Sequence, residues 1–206
     1  MEKDIDQELE DLNEIAIGKI KIAYNHSIDL EAIHSVLWES SEKKRKFLLK
    51  LILIVGFVLL ITIYIPVLFG YINIILISSY ISGILVLLIV GLTFYNLFQA
   101  THSNNHKVIY EDAISLHRQA EDFLQYKLEN LDKEGFIHEI KNLDEFDTVL
   151  MEKNLIYGSD FSINISNQIT QKLDELEKSG FKKHMLTEQE MEAITKKIQR
   201  FTELRP

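Results

Sequence analysis

The feature of this sequence that most restricts its fold is a nearly uncharged run, residues 47–98, in which Lys50 is the one charged side chain. The complete chain has 206 residues, with 22 Lys and Arg and 31 Asp and Glu, so almost all of its charge lies outside that run. An ordinary soluble domain does not segregate charge in this way. The run therefore predicts a segment with apolar surroundings.

The run contains two stretches that are each long enough to cross a bilayer. Residues 47–65 precede Pro66, and at about 1.5 Å per residue they extend over roughly 28 Å, close to the thickness of a hydrocarbon core. Residues 74–98 form a longer second stretch, which can cross with some tilt. Pro66, Gly70 and Asn73 interrupt the apolar pattern between them. The sequence predicts two transmembrane helices joined as an antiparallel hairpin.

Cations beside the first stretch predict its orientation. They are concentrated just before the stretch and at its start, whereas the predicted turn has none. These cations are Lys43, Lys44, Arg45, Lys46 and Lys50. Because cationic flanks remain in the cytoplasm, both termini are expected to be cytoplasmic. The same side chains are suited to anionic headgroups, so the lipid bilayer is an expected partner. The alternative, a buried helical hairpin in a soluble protein, is disfavoured by the length of both stretches.

The charged regions on either side also show helical periodicity, so the expected fold is an all-α membrane protein. Residues 1–46 are predicted to form an N-terminal helical region. Residues 99–206 are predicted to form a cytoplasmic helical region led by a long helix at residues 101–131. A break is expected at residues 25–29, and a short strand at residues 17–22 is an alternative to helix.

Three shorter amphipathic helices are expected after the long helix, which should end near Gly135. The first of them should stop near Gly158 and the second near Gly180. The last should begin at a capping box formed by Thr187 and Glu190, in which the hydroxyl and the carboxylate each bind a free backbone N–H.

The long helix has a wide apolar face that other helices of the chain, or a second copy, must cover. Part of this face follows the alternating spacing of three and four residues that is typical of paired helices. A homo-oligomer is therefore expected. The candidate seam residues are Tyr110, Ile114, His117, Leu124, Leu128 and Leu131.

Small residues in the predicted hairpin indicate a close helix contact. Ser79 and Gly83 form a small-x-x-x-small pattern on the second apolar helix, and Gly56 on the first helix could face it.

One stripe of the second apolar helix is polar at both ends and apolar in the middle. That pattern suits a pore with a gate that closes by dewetting. The candidate pore-lining residues are Ser78, Ser82, Val86, Ile89, Thr93 and Asn96. The alternative is that the two serines and the asparagine hydrogen-bond to a neighbouring helix.

Signs of enzymatic chemistry are few. The sequence has no Cys, no glycine-rich phosphate loop and no metalloprotease motif, and the apolar stretches lack His, Asp and Glu. His102 and His106 would share a helix face, but no third ligand lies nearby in sequence, so no metal or other cofactor is expected. The net charge of −9 disfavours nucleic acid as a direct partner.

The order of the elements, together with the run YEDAISLHRQAEDFLQYKL at residues 110–128, resembles the SLATT family of bacterial two-span effector domains. The closest likeness is the stretch HRQAEDFL at residues 117–124. The resemblance extends over approximately residues 5–175. It implies an oligomeric effector of anti-phage defence that breaches the bacterial inner membrane and stops growth. Such effectors are triggered by a partner sensor protein or a nucleotide second messenger, and the family supplies no catalytic residue.

Two functions are therefore expected as alternatives. The first is an oligomeric, non-enzymatic effector that permeabilises or depolarises the inner membrane. The second is a membrane anchor or scaffold that uses the same long helix to hold a cytoplasmic partner.

Overall fold

The computed structural model describes residues 2–69, 72–157, 163–178 and 186–203, and no strand occurs among them. The five α-helices are α1 Glu2–Phe69, α2 Ile72–Asp122, α3 Lys133–Tyr157, α4 Ile163–Lys178 and α5 Glu188–Glu203. A π-helical segment, Phe123–Lys127, follows α2. The prediction of an all-helical fold is confirmed, and α1 and α2 are each long and apolar enough to cross a membrane.

The first helix is uninterrupted, so the predicted break at residues 25–29 is wrong. The polar residues there have weak helix propensity. However, the Ser27 hydroxyl donates a hydrogen bond to the Tyr24 carbonyl of the same helix at 2.7 Å, and the neighbouring Ile28 is fully buried. Packing thus overrides local propensity, and residues 17–22 are helical as well.

The turn between the two apolar helices is shorter than predicted. α1 continues through Pro66, α2 already includes Asn73, and Gly70 lies outside the described residues. α2 then extends far beyond the apolar run to Asp122. The predicted long helix at residues 101–131 is therefore not a separate element: its first part is the second half of α2, and its predicted end is wrong, because residues 128–131 are not helical.

The π-helical segment and the N-cap of α3 lie between α2 and the body of α3. The Leu128 N–H donates to the Phe123 carbonyl at 2.9 Å, five residues earlier. The Asp132 carboxylate then accepts the Gly135 N–H at 2.8 Å and caps α3. A Cβ atom at position 135 would lie 2.9 Å from that carboxylate oxygen. Gly135 therefore belongs to the first turn of α3, whereas the sequence predicted that it ends the preceding helix.

The chain divides into two compact units. The helical unit comprises Met1–Val36 and Lys107–Pro206, and the hairpin unit comprises Leu37–His106. The hairpin unit extends past the uncharged run at both ends, whereas the division predicted from sequence followed the charge boundary. The reason is that α1 and α2 remain in contact there: the Ser103 hydroxyl donates to the Glu42 carboxylate at 2.9 Å.

The helical unit has an apolar core built by α1, α2, α3 and α5. Phe136 is fully buried in it, with its ring centroid 5.8 Å from that of Phe123 and 5.7 Å from that of Phe201. Other buried members of this core include Ala16, Ile20, Ala23, Ile109, Ala113, Leu116, Ala120, Ile140, Leu143, Leu150, Ile194 and Ile198.

The last two helices pack onto this unit as the sequence predicts. Leu176 of α4 joins a smaller apolar cluster with Ile28 and Ala32 of α1. At the start of α5, the Thr187 hydroxyl accepts the Glu190 N–H at 3.2 Å, and the Glu190 carboxylate accepts the Thr187 N–H at 2.6 Å. The capping-box prediction is confirmed.

Replacing Phe136 by Ala should destabilise the helical unit by about 3–5 kcal/mol, because it removes the ring between two other aromatic side chains and leaves a cavity. Chemical unfolding of the full chain in mild detergent, followed by far-UV circular dichroism, would measure the loss. Val149→Ala on the same helix is the control, since Val149 is 47% exposed and should cost under about 0.5 kcal/mol. Equal losses in the two variants would contradict this assignment of the core.

Candidate functional site

The hairpin unit is held together by one continuous stripe on each helix. Between residues 77 and 99 of α2, every side chain that is not exposed belongs to this stripe, at alternating spacings of four and three residues. Its members are Ser78, Ser82, Leu85, Ile89, Leu92, Asn96 and Gln99. On α1, Leu48, Val55 and Pro66 are buried on the opposing stripe. This spacing is typical of two helices that pair as a left-handed coiled coil.

A proline and a serine explain how the two helices join near the turn. Pro66 has no backbone N–H, so the Thr62 carbonyl four residues earlier loses its partner within the helix. The Ser78 hydroxyl of α2 donates a hydrogen bond to that carbonyl. A polar backbone group that proline leaves without its helical donor is thus satisfied across the hairpin.

Two further polar atoms on the stripe are buried and have no hydrogen-bond partner. They are the Ser82 hydroxyl oxygen and the Asn96 side-chain carbonyl oxygen. A buried polar atom without a partner costs roughly 1–3 kcal/mol. Leu85, Ile89 and Leu92 lie between them, so the stripe is apolar in its middle and polar towards both ends.

The structure separates the predicted pore-lining residues into two groups. Ser78, Ser82, Ile89 and Asn96 lie on the stripe that faces α1. Val86 and Thr93 are exposed, and the Thr93 hydroxyl donates to a carbonyl of its own helix at 2.8 Å. In this structure the polar stripe is a packing surface within the hairpin, and its exposure to a lumen stays a prediction.

The predicted small-residue contact is not used inside the hairpin. Ser79 and Gly83 are both exposed, and a Cβ atom built on Gly83 would meet no other atom within 4 Å. Gly56 is half-buried on α1, but its Cβ position is equally open. These residues line the outer surface or the edge of the helix pair, and their contact with another helix stays a prediction.

The outward surface of the hairpin unit is apolar along its length and aromatic near both ends. Leu53 and Leu87 are more than 70% exposed. Phe47 and Tyr64 are exposed at opposite ends of the apolar part of α1, separated by about 25 Å at 1.5 Å per residue. The large exposed aromatic residues of α2 are Tyr80, Phe94, Tyr95 and Phe98.

The predicted cationic cluster lies on α1 at one end of this surface. The side chains of Lys43, Lys44, Lys46 and Lys50 are exposed. Arg45 is partly buried and pairs with the Glu42 carboxylate at 3.3 Å.

The predicted oligomer seam is largely covered by the chain itself. His117 and Leu128 are buried, while Leu124 and Leu131 pack against the core of the helical unit. Tyr110 and Ile114 are half-buried. The apolar face is thus satisfied by the chain's own helices, which is one of the coverings that the sequence allows. A seam between copies stays a prediction.

Beside its apolar core, the helical unit contains a cluster of buried polar side chains. The His117 ring stacks against Tyr24 with centroids 4.5 Å apart, and its Nδ1 lies 3.4 Å from the Ser27 hydroxyl. Its Nε2 lies 3.5 Å from Glu121. This order of groups is similar to a Ser-His-Glu triad, but Ser27 is fully buried and its hydroxyl donates to a carbonyl of its own helix. It therefore presents no nucleophile to a substrate.

Histidine bonds connect α1 to α3 in the same region. His34 is fully buried, with its Nε2 3.0 Å from the Asn154 side-chain oxygen. The His26 Nδ1 lies 3.0 Å from the Asp147 carboxylate. Burial lowers the pKa values of His34 and His117, and it raises the pKa of the Glu31 carboxyl against the opposing effect of nearby cations. The lowered pKa values of His34 and His117 favour the neutral imidazole at these two positions.

A second histidine pair lies in the hairpin unit. The Nε2 atoms of His102 and His106 on α2 are 3.1 Å apart, with their rings nearly perpendicular. The His102 ring also stacks on Phe98, with a centroid separation of 6.5 Å. No group of three or more potential metal-ligating side chains occurs among the described residues.

An apolar groove of about 390 Å³ lies between α1 and α3 of the helical unit. Its walls include Leu12, Ile15, Phe136, Ile137 and Ile140. Two ion pairs stand at the groove, Lys19 with Asp144 and Lys141 with Glu145.

Sequence reasoning missed the role of Thr62, Pro66 and Glu42. The sequence pattern marks Pro66 only as a helix breaker, whereas a proline inside a helix leaves the carbonyl four residues earlier without its backbone donor. That rule could have identified Thr62, but the donor that satisfies it depends on the register of α2.

The chain matches no family model, no curated protein and no solved structure. The resemblance to the SLATT family therefore stays a prediction, and its implications enter below as proposals.

Replacing Ser78 by Ala should destabilise the hairpin by about 1 kcal/mol, since it leaves the Thr62 carbonyl without a donor. In a Pro66→Ala background the backbone N–H returns, and the same replacement should cost almost nothing. A double-mutant cycle on thermal unfolding in detergent would measure the coupling. Ser82→Ala, one helical turn away on the same stripe, is the control and should be neutral or stabilising. Additive effects of Ser78 and Pro66 would contradict the pairing.

Acidification from about pH 7.5 to about pH 5.5 should destabilise the helical unit through His34 and His117. Their folded-state pKa values lie below the ordinary value of 6.5, so the unfolded chain binds more protons in this range and stability falls as pH falls. The double variant His34→Gln with His117→Gln should show a flatter pH profile in chemical unfolding.

Glu31 acts in the opposite direction, because a raised carboxyl pKa makes stability fall as pH rises through the folded-state value. Glu31→Gln should therefore steepen the loss of stability on acidification. An unchanged profile in both sets of variants would show that these buried groups do not titrate with folding.

Proposed function

We propose that the hairpin unit crosses the bacterial inner membrane twice, with both termini in the cytoplasm. Support comes from the apolar outer surface, which in water would be a very large exposed patch. Aromatic side chains near both ends are typical of the two membrane interfaces, and the lysines at one end favour the cytoplasmic side. Lys50 reaches back from the first helical turn towards the headgroups.

We propose further that the protein is an oligomeric effector that permeabilises this membrane when triggered, as the resemblance to the SLATT family implies. The single observation that carries the proposal is the buried, unpartnered state of the Ser82 and Asn96 oxygens in the hairpin seam. Polar side chains inside a membrane segment are costly and commonly mark a pathway for water or ions. In an open assembly, the same atoms gain water as partners.

The proposed mechanism depends on the residues that the closed seam keeps away from water. In the closed hairpin, α1 covers the polar stripe of α2, so water has no access to it. When α2 moves away from α1 in an oligomer, Ser78, Ser82 and Asn96 line the lumen. Leu85, Ile89 and Leu92 then form an apolar constriction that conducts only when wetted. The trigger is a partner sensor protein or a nucleotide signal that favours this arrangement, and the outcome is growth arrest in anti-phage defence.

A second candidate function is a membrane scaffold, and the groove between α1 and α3 favours it. The groove is apolar with charged pairs at its margin, which suits the insertion of one or two apolar side chains from a cytoplasmic partner protein. In this function the hairpin serves only as an anchor, and the seam remains closed.

Ile89→Ser should convert the effector into a leaky form, because a hydroxyl in the constriction favours water there. Dye release from liposomes that contain the purified variant should rise several-fold over the unmodified protein. Expression in a bacterium loaded with a membrane-potential dye should cause depolarisation and growth arrest. Val86→Ser is the matched control, since Val86 is exposed on the same helix and lies outside the seam.

The outcomes separate the two functions. Leak from the Ile89 variant and not from the Val86 variant supports the effector. A folded, membrane-inserted Ile89 variant that leaves the membrane potential and the liposome contents unchanged would exclude a lumen at this stripe, and the scaffold would then be the better account.

A further inference from the structure

The His102 and His106 pair combines three properties that the proposed function does not use. Both imidazoles project from the same face of α2, their Nε2 atoms are 3.1 Å apart, and their ring planes meet at 79°. His106 is buried, whereas His102 is half-exposed at the margin of the hairpin unit. The His102 ring also lies parallel to the Phe98 ring, with their centroids 6.5 Å apart.

We propose that His102 and His106 bind a divalent transition-metal ion of the zinc, nickel or copper class. Two nitrogen ligands on one tetrahedral zinc ion, each about 2.0–2.1 Å from the metal, are separated by roughly 3.3 Å. The observed Nε2 separation is within a few tenths of an ångström of that distance. Both rings have to turn so that their Nε2 lone pairs converge on one ion, while the distance between the two nitrogens changes little.

Ligand chemistry determines which ions this site accepts. Neutral imidazole suits zinc, copper and nickel, whereas magnesium and calcium require oxygen ligands. The chain has no Cys, so no thiolate competes for the same ion. No third protein ligand from the described residues joins the pair, so the proposed ion would take its remaining ligands from water on the side of the less buried His102.

The competing interpretation is a hydrogen bond between two neutral imidazoles, in which one Nε2–H donates to the other ring. This bond and the metal use the same two lone-pair positions, so they are mutually exclusive. The metal must therefore displace one proton, and binding should weaken as pH falls. The proposal does not depend on whether the protein is an effector or a scaffold, because it concerns two side chains and their distance only.

The test uses the untagged full chain, purified in detergent and stripped of metal with a chelator. Zinc chloride titrated into this sample should show saturable binding by calorimetry and should raise the melting temperature. His102→Gln should lower the affinity by roughly tenfold or more, because it removes one of two ligands. His138→Gln is the matched control, since His138 is an exposed helical histidine in the other unit. Magnesium chloride should have no effect.

Spectroscopy of the unmodified protein with copper bound tests the number of imidazole ligands even where a variant folds poorly. Copper(II) bound to the chain should show magnetic coupling to two imidazole nitrogens, and the coupling should fall to one in His102→Gln. Equal zinc affinity in the unmodified protein, His102→Gln and His138→Gln would overturn the proposal. So would the absence of saturable binding in the unmodified protein, and the pair would then be a hydrogen bond alone.

Discussion

Lys50 is the one charged side chain between residues 47 and 98, so the backbone polar groups of this run depend on the helices themselves and on uncharged side chains for their hydrogen bonds. A helix solves this for almost all peptide groups, but Pro66 leaves the Thr62 carbonyl without a donor. The Ser78 hydroxyl supplies that donor from the opposite helix. This contact sets the register of the two helices near the turn. The register in turn determines that Ser82, Ile89 and Asn96 face α1 rather than the exterior.

The two units satisfy opposite requirements. The hairpin unit is apolar outside and carries hydroxyl and amide groups in its seam, whereas the helical unit is charged outside and has an apolar core around Phe136. Both nevertheless bury polar groups at helix contacts. In the helical unit most of these groups have partners, such as His34 with Asn154, so they fix the arrangement of α1 against α3. In the hairpin seam the Ser82 and Asn96 oxygens have none, and in the helical unit the Asn25 side-chain oxygen also has none. The seam differs in that both of its unpartnered oxygens lie on one stripe, at the two ends of an apolar middle.

The same comparison bears on the two proposed functions. The proposed effector requires a surface that stays closed without a trigger and takes up water when it opens. The seam of α2 has polar ends and an apolar middle, which is the pattern that such a surface needs. A scaffold requires only an anchor and a docking surface, which the groove of the helical unit offers. The His102 and His106 site is compatible with either function.

The sequence by itself determined the existence and type of nearly every element. The uncharged run indicates two long apolar helices, the periodicity of the charged regions indicates helices, and Thr187 with Glu190 indicates where α5 begins. These features follow from local physics: apolar content, spacing and the chemistry of a single helical turn. The resemblance to a two-span effector family also came from sequence, but it concerns function and no structural contact tests it.

Only the tertiary structure decided which faces meet. The predicted break at residues 25–29 is absent because the packing of Ile28 outweighs the weak helix propensity around it. The stripe from Ser78 to Asn96 could face a lumen, lipid or a neighbouring helix, and the rotation of α2 against α1 selects the last. Gly83 is left on the outside by the same rotation. A helix pattern repeats every few residues and shows which residues share a face. The direction of that face depends on contacts between residues far apart in the chain, which no local pattern contains.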